Sequence, residues 1–400
     1  MFINIIRGQQ QIGGSIIEVG TEKTKIIFDV GINLDESEDI EIPKVDGLFY
    51  GDKKYDAVFV SHYHSDHIGL LENLVSDIPI YIGEKAHRIV AASYEYRNLE
   101  LKFTPNYIRH NEKIMINDMS ITPISCDHSA FDSYMYLIEA DNKKVLYTGD
   151  FRANGRFDYN KMLEEIPTVD ALIIEGTTLS RNEKIENTQE EFLEDIAVKA
   201  LQSYHGPAFV MMSAMNVDRI TTSYNVARRT NRLFLEDIYT AKIAEASGEK
   251  ILKPNAVDIK VFMTGGDKQY QMLQKFGDSK IGKEAISKSN FLMCIRPSMK
   301  NYLEKLNELV SFENGLLFYG MWKGYLERPD MKEFIDYMSA KGVKIHILHT
   351  SGHADANTID DIVKKAMPTT IIPVHTENDD WFSKYKDTKI IYSCKDYEIR

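Results

Sequence analysis

Layered α/β architecture, with one domain interrupted by a second, is expected for this chain on three observations. Short apolar runs recur from the start to about Gly176, spaced by turns and amphipathic segments, and several run directly into a histidine or a carboxylate. From near Leu179, strand-like and helix-like segments alternate in a pattern of their own. Apolar runs leading to histidine then return at Val343–His349 and Thr369–Val374. A domain with an insertion fits that order better than two domains in tandem. The length agrees, since 400 residues is too many for one ordinary core.

In the first stretch, strands are expected at Lys25–Asp29, Asp56–Ser61, Ile78–Ile82, Lys144–Asp150 and Asp170–Glu175, where apolar residues cluster between turn formers. Ile68–Ser76 and, further on, Phe192–Tyr204 read as helices from their apolar spacing. In the second stretch, Ala208–Ser213 reads as a strand. Val217–Thr230 reads as a helix with Val217, Ile220, Tyr224 and Ala227 on one side. Strands are expected at Ile259–Thr264, Ser289–Ile295 and Gly315–Tyr319, and a helix at Met331–Lys341, ended by Gly342. The expected divisions are 1–178 for the first part of the outer domain, 179–342 for the insertion and 343–400 for the return segment.

Bulk properties exclude several classes. The composition, 43% hydrophobic and 27% charged, is that of an ordinary soluble globular protein. No apolar run approaches the ~20 residues that span a bilayer, and the first residues lack a signal-peptide layout, so a cytoplasmic protein is expected. Cys126, Cys294 and Cys394 are scattered and form no C-x-x-C pair, which suits buried reduced thiols rather than a disulfide framework. The net charge of −12 argues against a nucleic-acid coat protein. It does not argue against an enzyme on nucleic acid, because bound cations reverse the local sign of clustered carboxylates.

The chemistry concentrates in His62-Tyr63-His64-Ser65-Asp66-His67, directly after the apolar run Ala57–Val60. Neutral imidazole and carboxylate suit Zn²⁺ or a neighbouring divalent metal. Four such groups in six residues are costly to bury without partners, at about 1–3 kcal/mol for each unsatisfied group. A polar surface turn is the bland alternative; the density of ligands makes a metal site the better reading. Asp29, His62, Asp150, Glu175, His353 and His375 each follow or close an expected strand, and His128 sits in a loop. Singly each is weak, since a strand-closing Asp is often a turn former and a lone His is usually structural. Together they place polar groups at strand ends, where an α/β sheet leaves a crevice.

The loop 62–67, with His128, Asp150 and His375, resembles the metallo-β-lactamase fold, an αββα sandwich. Glu175-Gly176-Thr177, Ser351-Gly352-His353-Ala354 and Pro373-Val374-His375 resemble its nucleic-acid-processing β-CASP branch, and within that branch ribonuclease J and its archaeal relatives. Ser213–Ile220 is similar to the inserted β-CASP domain, and the likeness covers nearly the whole chain. The resemblance implies one metal on His62, His64 and His128, another on Asp66, His67 and His375, and Asp150 between them. Zinc is expected, with manganese open. It further implies a metal-bridging hydroxide attacking the scissile phosphate. His353 would meet that phosphate and Glu175 would orient His353; Asp66 counts with these two among the catalytic groups. Asp29 is read as orienting a ligand histidine or serving structure alone.

Substrate contacts implied by the resemblance are Ser213, Asn216, Ser351 and Gly352. Arg219, Arg228, Arg229 and Arg232 read equally as a phosphate-binding face or a solvated helix face. Trp322 and Tyr325 read as core aromatics rather than base-stacking groups. The remaining histidines, His87, His110, His205, His346 and His349, are read as structural. The expected partner is single-stranded RNA, with a homodimer open and no membrane. His375 favours RNA over DNA, because DNA-repair members of the branch usually carry Val there. Two departures leave oligomeric state and end or interior attack open. Thr376-Glu377-Asn378 stands where the family has Gly-Glu, and ribonuclease J continues into a C-terminal dimer domain beyond the point matching the end of this sequence. The competing readings are a small-molecule metallo-hydrolase of the same fold, a DNA-directed β-CASP nuclease and a non-catalytic RNA-binding subunit.

Overall fold

The computed structural model describes residues 1–34, 40–180 and 187–399. It divides into two compact units, one of residues 1–91, 99–187 and 352–400, the other of residues 92–98 and 188–351.

Among the described residues, the first unit contains two seven-stranded sheets. In the first sheet the order is Tyr397–Glu398, Phe2–Arg7, Ile16–Gly20, Lys25–Phe28, Ala57–Phe59, Ile80–Gly83 and Pro105–Ile108. From Lys25–Phe28 onward its neighbours are parallel. In the second sheet the order is Lys389–Ile390, Thr370–Val374, Ala171–Glu175, Lys143–Tyr147, Ser133–Ala140, Met119–Cys126 and Ile114–Ile116. Its first four strands are parallel to one another and the rest form an antiparallel meander.

The central strands of the second sheet are apolar on both faces because each face meets a different layer. Val145, Tyr147, Ile173 and Ile372 share a core with Ile17, Phe28 and Phe59 of the first sheet. Leu146, Leu172, Ile174 and Ile371 meet Met162, Ile359, Ile362 and Ala366 instead, from the helices Tyr159–Glu165 and Ala356–Ala366. Each Val, Leu, Ile, Phe or Met among them contributes roughly 1.5–3 kcal/mol on burial. Continuous apolar runs are what doubly covered parallel strands require. Asp355 starts the Ala356–Ala366 helix by accepting from the Thr358 N–H at 2.9 Å.

The second unit is built on a six-stranded, all-parallel sheet in the order Ile259–Phe262, Leu233–Asp237, Phe291–Ile295, Ala208–Met211, Leu316–Tyr319, Lys344–Ile347. Helices Val217–Arg229 and Ile238–Ser247 join its strands, capped by the side chains of Asn216 and Asp237.

The structure departs from expectation at residues 68–76 and at both ends of the insertion, whose unit begins at Thr188 rather than 179 and also takes in residues 92–98. Residues 68–76 do not form one helix: a single turn, Ser65–Ile68, stops at Gly69, and a 3₁₀ turn follows at Leu71–Asn73. There the Leu70 and Val75 N–H groups bond to the carbonyls of Val30 and Leu48, so long-range pairing replaces helical bonds. The strand at 344–347 pairs with Leu316–Tyr319 and therefore belongs to the inserted sheet; the return to the first unit falls at Gly352 rather than at 343.

Candidate metal centre

Both sheets of the first unit deliver polar residues just past parallel strands. Asp29 follows Lys25–Phe28, His62 lies three residues past Ala57–Phe59, and Asp150 lies three residues past Lys143–Tyr147. Glu175 ends its own strand and His375 follows Thr370–Val374. His128 comes from the end of Met119–Cys126, while Asp66 and His67 sit in the one-turn helix Ser65–Ile68. That turn lies so close to the chain at Gly31 that a Cβ there would stand 1.6 Å from the Asp66 carbonyl oxygen. Only glycine fits. Asp29 and His375 both adopt left-handed backbone, at φ of 59° and 52°, and the His375 N–H is tied to the Gly8 carbonyl at 2.6 Å.

Hydrogen bonds then orient the imidazoles. Asp29 accepts from the Ser61 N–H and hydroxyl, both at 2.7 Å, and from the Tyr147 hydroxyl at 2.6 Å. It also faces His67 Nδ1 at 2.8 Å, which turns His67 Nε2 toward Asp150 Oδ2 at 3.3 Å. Because the Ser61 hydroxyl gives its proton to Asp29, it accepts from His62 Nδ1 at 3.0 Å, leaving the Nε2 lone pair free. Thr177 does the same for His375: its hydroxyl donates to the His375 carbonyl and accepts from Nδ1 at 2.8 Å. His375 Nε2 then lies 3.1 Å from Asp66 Oδ2. Contacts at Nδ1 thus turn three imidazoles so that each Nε2 faces inward, the orientation that suits metal-ligating histidines.

What converges is a set of lone pairs. His62 Nε2, His67 Nε2 and both Asp150 carboxylate oxygens are buried without a hydrogen-bond partner among the described residues. His128 Nε2 and His64 Nδ1 approach to 3.2 Å. His62, His64 and His128 form one group whose ligand atoms lie within 4.8 Å of one another; Asp66, His67 and His375 form another. Asp150 joins His62 and His67 in a third, and Glu175, His353 and His375 in a fourth. Orphaned, buried N and O donors in overlapping groups fit divalent ions of the zinc kind.

Electrostatics favour the neutral form at His62, His64 and His128 and the charged form at His67 and His353. Burial, reinforced by neighbouring imidazoles, pushes His62 and His128 well below the usual histidine range, and burial brings His64 to about 4. Neutral histidine is the ligand form. Burial would raise Asp150 and Asp66, yet the histidines around them win and hold both carboxyls below the ordinary range. Burial opposes a charge on His353 and His67, but carboxylates overcome it. Glu175 and Asp150 raise His353, and Asp150 and Asp29 raise His67 well above its ordinary value.

The seven expected ligands, with Glu175 and His353, therefore meet within one unit. His353 Nδ1 lies 3.4 Å from Glu175 Oε2 and 3.5 Å from Asp150 Oδ2. Glu175 is itself fixed by the N–H groups of Phe151 at 3.0 Å and Thr177 at 3.2 Å. Gly352 stands beside His128 and Ser129, where a Cβ would come 2.4 Å from the Ser129 hydroxyl. Ser213, Asn216 and Ser351 lie in the other unit. Ser213 is exposed, Ser351 is buried, and the Asn216 side chain is committed to the Arg219 N–H at 2.9 Å.

The arginine cluster is not one face. Arg219 is buried on Glu190, Arg229 pairs with Asp195, and the helix ends at Arg229, before Arg232. Trp322 is 43% exposed rather than in the core. Sequence reading missed Ser61, Thr177, Tyr147 and Gly31. For Ser61 and Thr177 the available signal was position, beside His62 and two residues after Glu175.

Comparison with known proteins agrees with this geometry. Residues 42–213 match the beta-lactamase superfamily domain, and residues 337–385 match the Zn-dependent metallo-hydrolase RNA specificity domain. A probable RNase MJ4 of Methanocaldococcus jannaschii is 24% identical over 93% of this chain and 92% of its own. An RNase J-like protein of the same organism is 32% identical over 42% of this chain and 41% of its own. Ribonuclease J 1 of Streptococcus pyogenes is 26% identical over 57% of this chain, a match spanning 42% of that protein. A crystal structure of a protein of unknown function from Enterococcus faecalis V583 shares the fold at a TM-score of 0.80 and 20% identity, covering 98% of this chain and 97% of that one.

Proposed function

The chain belongs to the metallo-β-lactamase superfamily, in the β-CASP branch and close to ribonuclease J, and we propose that it is a metal-dependent phosphodiesterase cleaving single-stranded RNA. The observation that carries this reading is the convergence of buried, unpartnered lone pairs from His62, His67 and Asp150 beside the His353–Glu175 pair.

His62, His64, His128 and Asp150 would hold one divalent ion; Asp66, His67, His375 and Asp150 would hold a second. Bound there, two such ions supply a water ionising near pH 7 and neutralise the charge of a phosphodiester. The protein's own part is positional and acid–base. Ser61, Asp29 and Thr177 lock the tautomers of His62, His67 and His375 before any substrate arrives. Glu175 and Asp150 keep His353 protonated at Nδ1 and raise its basicity. Nε2 is left to carry a second proton toward the departing oxygen. Gly352, immediately before His353, would contact the same phosphate, and Ser213, Asn216 and Ser351 are candidate substrate contacts on the ribonuclease J resemblance alone.

The test is digestion of a 5′-monophosphorylated oligoribonucleotide by metal-loaded protein, with and without chelator. Chelator-sensitive cleavage is expected. Intact RNA at excess loaded protein, with turnover of lactone or thioester substrates instead, would replace this reading by a small-molecule hydrolase.

A further inference from the structure

A second polar cavity opens in the inserted unit, where the chain enters the strands Ala208–Met211, Leu233–Asp237 and Phe291–Ile295. Its volume is about 560 Å³, within the range that takes a small organic ligand. Arg229, Arg232 and Lys288 line it and no aspartate or glutamate does, although the chain as a whole carries −12. Local sign opposes global sign.

Arg232 makes the case specific. Three arginines are buried in the described residues, and two of them sit on buried carboxylates: Arg152 on Asp127 at 3.0 Å, and Arg219 on Glu190 at 3.1 Å. Arg232, only 6% exposed, has no carboxylate counter-ion among the described residues. Its Nη1 donates to the carbonyls of Gly206 and Phe291 and its Nη2 to that of Tyr204, which fixes the guanidinium without supplying a full negative charge. Nearby helix ends offset part of that charge. A buried cation is costly until paired. Arg229 is already paired with Asp195, whereas Lys288 is exposed and has no ion pair among the described residues.

We infer that this cavity binds a nucleoside monophosphate group, its phosphate against Arg232 and Lys288 and its base among Tyr204, Asn231 and Asn290. The space is several times what a lone phosphate fills, and the amide and phenol lining offers donors and acceptors to a base edge. The anion site stands on the cavity alone; its assignment to a nucleotide rests on the ribonuclease reading, which makes nucleotides and RNA ends the anions at hand.

Calorimetric titration of the metal-loaded full chain with 5′-AMP and, separately, inorganic phosphate tests this. Saturable 5′-AMP binding is expected, at least about tenfold tighter than phosphate, and weakened about tenfold or more by Lys288→Glu. Asp150→Asn should leave that binding in place, which separates this site from the metal centre. Competition by a 5′-monophosphorylated decamer would mark an RNA end as the natural source; no competition would mark the free mononucleotide. Absence of saturable 5′-AMP binding, equal affinity for phosphate, or indifference to Lys288→Glu would overturn the inference. RNA cleavage by the unsubstituted chain, measured on the same preparation, keeps the two proposals apart: cleavage without saturable 5′-AMP binding overturns this inference alone.

Discussion

Among the described residues, buried polar atoms without a hydrogen-bond partner occur both at the rim of the first unit and in the inserted sheet, and the two places differ in one respect. At the rim of the first unit, the unpartnered atoms of His62, His67 and Asp150 come from several elements and point at one another, within 4.8 Å. In the inserted sheet, both carboxylate oxygens of Glu236 are also unpartnered and fully buried, but no metal-holding group among the described residues includes Glu236. The first cluster resolves its electrostatics by keeping charge: the surrounding histidines hold Asp150 ionised against burial. The second resolves it by losing charge: burial first, then Asp237 and Glu245, push Glu236 well above the ordinary carboxyl range. Orphaned atoms point to a ligand where they converge, and to a neutralised side chain where they do not.

Asp150→Ala removes the shared centre of the first cluster and should produce the largest effect. Bound metal and RNA cleavage should disappear together, by elemental analysis and by gel assay; full metal content in that variant would break the convergence argument. His353→Ala should lower kcat by about 10²–10⁴-fold with metal content unchanged. Loss of metal in that variant would show that His353 is itself a ligand. Glu175→Gln should cost less. Since Glu175 is the main group raising His353, its removal should move the alkaline limb of the kcat profile to lower pH. An unmoved limb would sever Glu175 from His353.

The smallest expected effect lies in the second cluster and concerns stability rather than catalysis. The folded pKa of Glu236 is raised, so its contribution is fully present below the unfolded carboxyl value and is lost as pH rises through the folded one. Denaturant unfolding should therefore weaken with pH above about 4.5, and Glu236→Gln should flatten that slope. A steeper slope in the variant would mean that Glu236 is ionised and has a partner.

Much of the fold was legible because its central strands are covered on both faces. Val145–Tyr147, Ala171–Ile174 and Thr370–Val374 read as uninterrupted apolar runs for that reason. The site was legible because its ligands are chemically rare and sit at strand ends. Long-range effects were not legible. The helix expected at 68–76 lost to backbone bonds with Val30 and Leu48, and the strand at 344–347 joined the inserted sheet because its partner is Leu316–Tyr319. The outer roles of Ser61, Thr177 and Tyr147 stayed hidden since hydroxyls are common and only folding brings them to Nδ1 or to Asp29.

Anomalous diffraction at the zinc and manganese edges, from crystals of the loaded chain, bears most directly on the converging lone pairs. Two peaks are predicted, one among His62, His64, His128 and Asp150, the other among Asp66, His67, His375 and Asp150. No peak at either group, in protein that still cleaves RNA, would contradict the account.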